Sequence, residues 1–179
     1  MKNLKRTLAA VVVLVAFATT SNAQSTASAS ATATIVAPIS IVKTGTDLNF
    51  GNIAVSGSGG TVTVAPDNSR TKNGAGLTLP PTNLGTVTAA QFTVTGNNDY
   101  TYAITLPTAL TLTHTNTTST MALSDFTSST GPIVGGAGTG LLSATGTQLL
   151  NVGATLTVGF PQLAGVYTNA AFDVTVNYN

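Results

Sequence analysis

The sequence is poor in the side chains from which active sites are usually built. It contains no cysteine, no tryptophan and one histidine, and charged residues make up only 6% of it. Glutamate is also missing, so the five acidic residues are all aspartates. Without cysteine there is no disulfide and no thiol nucleophile, and proton transfer or metal binding has few groups to draw on. We therefore expect a protein that is not an enzyme, with no cofactor and no metal site.

The first residues predict export. Basic residues precede an apolar run over 8–18, and Ser21-Asn22-Ala23 offers the small residues that a signal peptidase reads. The apolar run is too short to cross a membrane as a helix. We predict a signal peptide over 1–23, passage through the periplasm, and a final place at the cell surface or outside the cell.

Loss of that leader changes the charge balance. Three of the six basic residues lie in it, which leaves three against five aspartates and a formal charge of −2. Three scattered cations cannot neutralise a row of phosphates or hold the chain on anionic lipid. The charge pattern therefore argues against nucleic acid as a partner and against electrostatic docking on anionic lipid. No segment after the leader is long and apolar enough for a membrane helix, so we also expect no direct membrane insertion.

The residues that are abundant are those that favour strands. Val, Ile, Thr, Tyr and Phe are frequent, and clean alternation of apolar and polar residues occurs at 61–64, 110–113 and 172–178. Short strands separated by turn residues, with no helical period, predict an all-β protein with an antiparallel immunoglobulin-like β-sandwich over 39–179.

Three local predictions follow from turn residues. The runs 91–95 and 100–106 flank Gly-Asn-Asn-Asp and predict a hairpin, with Tyr100, Tyr102, Ile104 and Leu106 on one face. Residues 67–76 and 131–140 are rich in Gly, Asn or Pro and predict exposed loops. In a threonine-rich setting, His114 is interpreted as a surface residue rather than a catalytic base. The glycines of 135–140 lack the lysine of a phosphate-binding loop.

Residues 24–38 form an N-terminal extension with a period of two. Its apolar positions share one face and are Ala27, Ala29, Ala31, Ala33 and Ile35. Serine and threonine occupy the other face, as in an extended strand. Two interpretations stay open: a disordered terminus, or a strand that needs a groove in which to lie.

Both ends of the chain resemble known families. The run AGVYT at 164–168, followed by a terminal strand with Tyr178 next to last, resembles the C-terminal pattern of chaperone–usher pilins of the spore-coat-U-like branch. ATATIV at 31–36, LNFG at 48–51 and VTVNY at 174–178 are similar to secreted bacterial proteins of the domain of unknown function 4402 family.

The pilin resemblance implies a function. Pilin sandwiches lack their last strand, and a periplasmic chaperone fills the open groove until the N-terminal extension of another subunit replaces it. By this resemblance, Ala27 to Ile35 form the donor strand, and the strand beside the groove carries Phe172, Val174, Val176 and Tyr178. The implied partners are neighbouring copies or related subunits, a chaperone and an outer-membrane usher. The implied function is a subunit of a fimbria or fibre, with a role in adhesion or biofilm.

Two other functions stay open. If the N-terminal strand closes its own sheet, the protein is a monomeric secreted β-sandwich that binds carbohydrate or extracellular matrix. A small hydrolase that depends on His114 is the remaining alternative.

Overall fold

The structure, a computed structural model, describes residues 24–169 and 171–179. The predicted signal peptide, residues 1–23, lies outside the described residues. Contacts divide the chain into two units, Met1–Ile35 and Val36–Asn179. In the first unit, residues 24–35 are exposed and form no strand. The strands of the described residues therefore all belong to the second unit.

Every regular element of the described residues is a β-strand, so none of them forms a helix that could span a membrane. In chain order the strands are β1 (Ser40–Lys43), β2 (Asn49–Phe50), β3 (Ala54–Val55), β4 (Gly60–Val64), β5 (Arg70–Asn73), β6 (Leu77–Thr78), β7 (Val87–Thr88), β8 (Ala90–Thr95), β9 (Thr101–Thr105), β10 (Ala109–His114), β11 (Thr120–Ser128), β12 (Ala137–Leu141), β13 (Thr147–Val158), β14 (Tyr167–Thr168) and β15 (Thr175–Tyr178). The prediction of an all-β protein is confirmed.

The strands form one large sheet and three small ones, and all pairs are antiparallel. The large sheet runs β1-β8-β13-β11-β10-β14, and β4 joins it by pairing with β13 on one side and β5 on the other. The small sheets are β12-β9-β15, β2-β7 and β3-β6.

One core lies between the large sheet and the small sheets. Alternate positions of β13 point into it, including Leu150, Val152 and Leu156, each at most 2% exposed. Tyr102 and Phe50 enter the same cluster from β9 and β2. Two layers that bury alternate residues against each other are consistent with the predicted sandwich.

A bulge keeps β11 in register with this core. Pairing with β13 shifts between Ser124 and Thr127, and Asp125 takes a positive φ of 48°. An extra residue at such a point lets two side chains three positions apart face the same side. Leu123 and Phe126 are both buried as a result, at 2% and 4% exposed.

The predicted hairpin of 91–95 and 100–106 is wrong. β8 pairs with β1 and β13 in the large sheet, whereas β9 pairs with β12 and β15 in a small sheet. The chain crosses from one layer to the other between them, because both strands bury apolar residues in the same core. Of the four residues predicted on one face, Tyr102, Ile104 and Leu106 are buried, whereas Tyr100 is 41% exposed.

The two predicted loops each contain a strand. Residues 67–76 include β5, which pairs with β4 across a tight turn in which the side chain of Asp67 accepts a hydrogen bond from Ser69 N at 2.9 Å. Residues 131–140 include most of β12, which pairs with β9. Both are edge strands whose residues are mostly exposed, so neither shows the apolar alternation that marks a strand in the sequence.

Candidate functional site

An open groove of about 1250 Å³ lies over the inner face of the large sheet. Two chain segments form its walls: residues 48–55, here the first wall, and residues 162–169 with 171–172, here the second wall. Between them, core side chains of the large sheet form the floor, which consists of Ala90, Phe92, Leu112, Met121, Leu123, Leu156 and Val158. The floor is therefore entirely apolar.

The first wall is held by strand pairs on one side only. β2 pairs with β7 and β3 pairs with β6, and the topology gives neither strand a second partner among the described residues. Gly51, with a φ of +67°, separates the two strands. The inward positions are 48 and 50 before this glycine and 53 and 55 after it. A left-handed residue there, which glycine adopts without strain, keeps apolar side chains facing inward along the whole wall.

Arg70 fixes the first wall to the rest of the molecule. Its Nη1 donates to the carbonyl oxygens of Phe50 at 2.7 Å and Asn52 at 3.1 Å. Burial lowers the pKa of this guanidinium from its usual value. The side chain lies on β5, a strand that the residue pattern does not predict, so no sequence signal indicates its role.

The second wall is short and apolar at its rim. β14 pairs with β10 alone, and Tyr167 donates its hydroxyl hydrogen to Leu163 O at 2.7 Å. Gln162 Nε2 donates to the same phenol oxygen at 2.8 Å. Leu163 and Val166 line the groove yet are 49% and 65% exposed. Apolar side chains left in water along a groove are typical of a surface that binds a partner.

His114 lies behind the second wall, and its interpretation as a surface residue is wrong. It is 7% exposed, and its ring meets the ring of Tyr167 edge to face at a centroid distance of 5.0 Å. Nδ1 accepts from Asn116 N at 3.1 Å, and Nε2 lies 3.2 Å from Ala164 O. A Cβ on Gly165 would collide with the ring. Gly165, in the AGVYT run noted in the sequence, therefore leaves the space that the ring of His114 occupies.

The residues predicted beside the groove alternate as expected but do not all reach it. Phe172 lines the groove, and its ring packs against Phe92 and Phe126 at centroid distances of 6.3 Å and 5.5 Å. Val174 is half-buried and Val176 is 8% exposed. Strand pairing with β9 begins only at residue 175, so residues 171–174 continue the segment without belonging to a strand.

Tyr178 lies at the base of the N-terminal extension instead of in the groove. Its hydroxyl donates to Ala37 O at 2.7 Å and accepts from Asn97 N at 2.6 Å. Its ring also meets that of Tyr100 edge to face at 5.6 Å. The tyrosine next to the end of the chain thus fixes the point from which the extension departs.

The candidate donor residues lie in exposed chain. Ala27, Ala29, Ala31, Ala33 and Ile35 are all exposed, and Ile35 reaches 99%. No strand is present over 24–39. A segment with no charged side chain, and with apolar side chains at every second position, is thus left without strand pairing in this structure.

The groove is close to neutral. The charged residues that line it are Lys43 and Asp47, which pair with each other at 2.6 Å. Within 24–169 and 171–179 no three His, Cys, Asp or Glu side chains come together in a way that could hold a metal ion. What the site offers is apolar surface and strand edges.

A family model described as domain of unknown function (DUF4402) matches residues 39–178. The chain belongs to this family, as the motifs at its two ends predict. Comparison with curated proteins and with solved structures gives no match. The resemblance to chaperone–usher pilins therefore stays a prediction.

Proposed function

We propose that the protein is an exported, non-enzymatic subunit of a fimbria or other extracellular fibre, assembled by β-strand complementation, with a role in adhesion or biofilm. The open apolar groove between the two walls is the observation that carries this proposal. Leu163 and Val166 expose apolar surface at its rim, and the floor beneath is continuous with the core. A sandwich with its final strand in place would cover both.

The walls suit a strand as the occupant. Among the described residues, β2, β3 and β14 each pair with a single strand, so their other edges have no strand partner. The carbonyl oxygens of Phe50 and Asn52 in the first wall already accept from Arg70. A strand laid between such edges gains hydrogen bonds on both sides, and its alternate side chains face the floor. Main-chain bonding supplies affinity, and the side chains on the floor set the register.

The occupant that we infer is the extension of a second copy. Residues 24–35 contain no charged side chain, which fits a groove whose lining charges cancel. Twelve residues in extended form span roughly 40 Å, and the eight residues of the first wall about 26 Å, at ~3.3 Å per residue. The extension is therefore long enough to fill the groove and still connect to its own body.

A chaperone and an usher fit the same scheme. Before assembly the groove would expose apolar surface in the periplasm, so a periplasmic chaperone would occupy it. An outer-membrane usher would then bring two subunits together for the exchange. Alanine methyls bury little area, so we expect most of the donor's affinity to come from main-chain hydrogen bonds.

A pair of neighbouring substitutions tests the proposal. Ala31→Asp places a charge on the face that would enter the groove, whereas Thr32→Asp places the same charge on the opposite face. We expect the first to abolish fibres and the second to preserve them, as measured by electron microscopy and size-exclusion chromatography of the exported protein. Deletion of residues 24–33 should also abolish fibres and leave a folded or chaperone-bound monomer.

Two results would contradict the proposal. One is normal fibres from the deletion variant, since the donor strand would then be dispensable. The other is an equal effect of Ala31→Asp and Thr32→Asp, since a strand in a groove distinguishes its two faces.

The outer face of the large sheet favours a second candidate function, a secreted domain that binds neutral carbohydrate. Thr63 lies opposite Thr155 with their hydroxyl oxygens 2.9 Å apart, and Thr61 lies opposite Thr157. Such an uncharged row of hydroxyls can exchange hydrogen bonds with a sugar. This candidate predicts a stable monomer that a neutral polysaccharide column retains. The Thr157→Lys variant should fold but should not be retained.

A further inference from the structure

The chain that leads into β1 is stiff, and it is fixed to the folded body. Ile39 packs against the core. Pro38 fixes its own φ and restricts the residue before it, Ala37, to extended backbone. Tyr178 donates its hydroxyl hydrogen to Ala37 O at 2.7 Å. The backbone is therefore anchored as far toward the N-terminus as Ala37.

The free chain beyond this anchor is very short. Val36 is 36% exposed, whereas the residue before it, Ile35, is 99% exposed. In the proposed fibre Ile35 is the last residue of the donor strand and lies in the groove of the neighbouring copy. Two residue steps separate it from Ala37, and they span at most about 7 Å. Two folded bodies linked over so short a distance must touch each other.

The surface around the anchor is suited to such a contact. The hydroxyl of Tyr178 also accepts from Asn97 N at 2.6 Å, which holds the turn before β9 beside Ala37. Tyr100 follows in this turn and leaves 41% of its surface in water. Its ring meets that of Tyr178 edge to face, so the exposed side is held in one position. Exposed aromatic rings of this kind are enriched at protein interfaces.

We propose that consecutive copies in the fibre meet body to body at this surface, here the junction surface, so that each junction is stiff. The junction surface consists of Val36, Ala37, Asn97, Tyr100 and Tyr178. Its partner is a second copy of this chain, at the rim of the groove that holds the donor strand. One free residue allows little rotation before the two bodies collide, and valine itself favours extended backbone. The inference rests on the proposed function and adds a second interface to it.

The first test examines the anchor without assembly. It uses the full chain with Ala31→Asp, which should block strand uptake. Nitrogen relaxation should give backbone order parameters of about 0.85 at Ala37 and Ile39, as in rigid strands. Values below about 0.6 at both residues would show a loose linker and overturn the inference. Tyr178→Phe in the same background should lower the value at Ala37 more than at Ile39, because Ala37 loses its hydrogen bond.

The second test measures the stiffness of assembled fibres. An insert of Gly-Ser-Gly-Ser-Gly-Ser between Val36 and Ala37 leaves the donor strand intact and adds flexible chain with an end-to-end distance of about 13 Å. We expect fibres with and without the insert, and a persistence length in electron micrographs that the insert shortens several-fold. Equal stiffness overturns the inference and leaves strand complementation standing. Absence of fibres from the unaltered protein as well overturns both.

A pair of substitutions locates the contact. Tyr100→Lys replaces the exposed ring of the junction surface. Val134→Lys is the control, because that side chain is 78% exposed and lies beside Ala137, which pairs with the opposite end of β9. We expect the first substitution to shorten the persistence length and the second to leave it unchanged. An equal effect of both, or no effect of either, overturns the contact at Tyr100.

A further variant covers the case in which Tyr100→Lys does not fold. Asn98→Lys changes an exposed residue of the same turn. It should also shorten the persistence length relative to Val134→Lys, and fibres as stiff as those of the control would contradict the inference.

Discussion

The large sheet and the two walls of the groove are built from similar residues, but they differ in strand length, in how many strand edges are paired and in burial. β13 is twelve residues long and pairs on both edges, whereas β2, β3 and β14 have two residues each and pair on one. Leu156 in the floor is 2% exposed, and Val166 at the rim is 65% exposed. The large sheet is stabilised by its own ladders and core. The walls depend on single side chains, Arg70 for the first and His114 for the second.

The largest expected difference is between floor and rim. Leu156→Ala should lower the free energy of unfolding by about 3 kcal/mol, because it leaves a cavity in a packed core. Val166→Ala should change it by less than about 0.5 kcal/mol, because that side chain is already in water. Urea denaturation measures both free energies of unfolding, provided that their dependence on urea concentration is the same in both variants. Equal losses would show that the rim packs as tightly as the floor and would remove the contrast.

A smaller effect is expected where Arg70 holds the first wall. Arg70→Gln should cost about 2 kcal/mol, since two hydrogen bonds from a charged donor to backbone carbonyls are lost, one part-buried at Phe50 O and one exposed at Asn52 O. Amide hydrogen exchange over 49–55 should increase more than exchange in β13.

Lys72→Gln on the same strand is the control. Among the described residues, its Nζ donates one hydrogen bond, to Gly74 O at 3.3 Å, and the residue is exposed. If Lys72→Gln cost as much stability as Arg70→Gln, then β5 as a whole would support the first wall, and the hydrogen bonds of Arg70 would have no special role.

The smallest expected effect is a difference between a buried tyrosine, Tyr102, and a partly exposed one, Tyr100, in how each changes stability at high pH. Burial raises the pKa of Tyr102 to about 12, and its hydroxyl donates to Gln148 Oε1 at 2.6 Å. The unfolded chain releases this proton near pH 10, before the folded protein does. The free energy of unfolding should therefore be unaffected by this group below pH 10 and should fall as the pH rises from about 10 to about 12.

Tyr102→Phe should remove that slope and cost about 1 kcal/mol at neutral pH. Tyr100→Phe, at a tyrosine that is 41% exposed, should leave the slope intact. Alkaline unfolding followed by circular dichroism measures both. A slope that survives Tyr102→Phe would assign it to another tyrosine.

The strands that the sequence predicted well are those with one buried face. β4, β10 and the terminal segment from Phe172 alternate because their apolar residues meet one core. β5 and β12 were missed because edge strands bury little and show no such period. The turn between β8 and β9 has the residues of a hairpin, yet the chain there changes layers, which depends on distant partners and not on local chemistry.

The groove could be predicted only in part. The resemblance of the chain ends to pilins suggested a missing strand and named Phe172, which does line the groove. The first wall, Arg70 and His114 were not recognised, because their roles arise from contacts between segments about 20 or more residues apart. A single buried histidine among threonines looks the same in sequence as an exposed one.

The bond between Tyr178 and Ala37 joins the two ends of the folded body at one point. A pulling force applied to the extension would first reach this phenol and the ladder of β1 with β8, and through Tyr178 it would pass into β15 and β9. Tension would thus be shared between both layers of the sandwich before any core residue moved. Loss of one hydroxyl, as in Tyr178→Phe, would direct the whole load into the four residue pairs of β1 and β8.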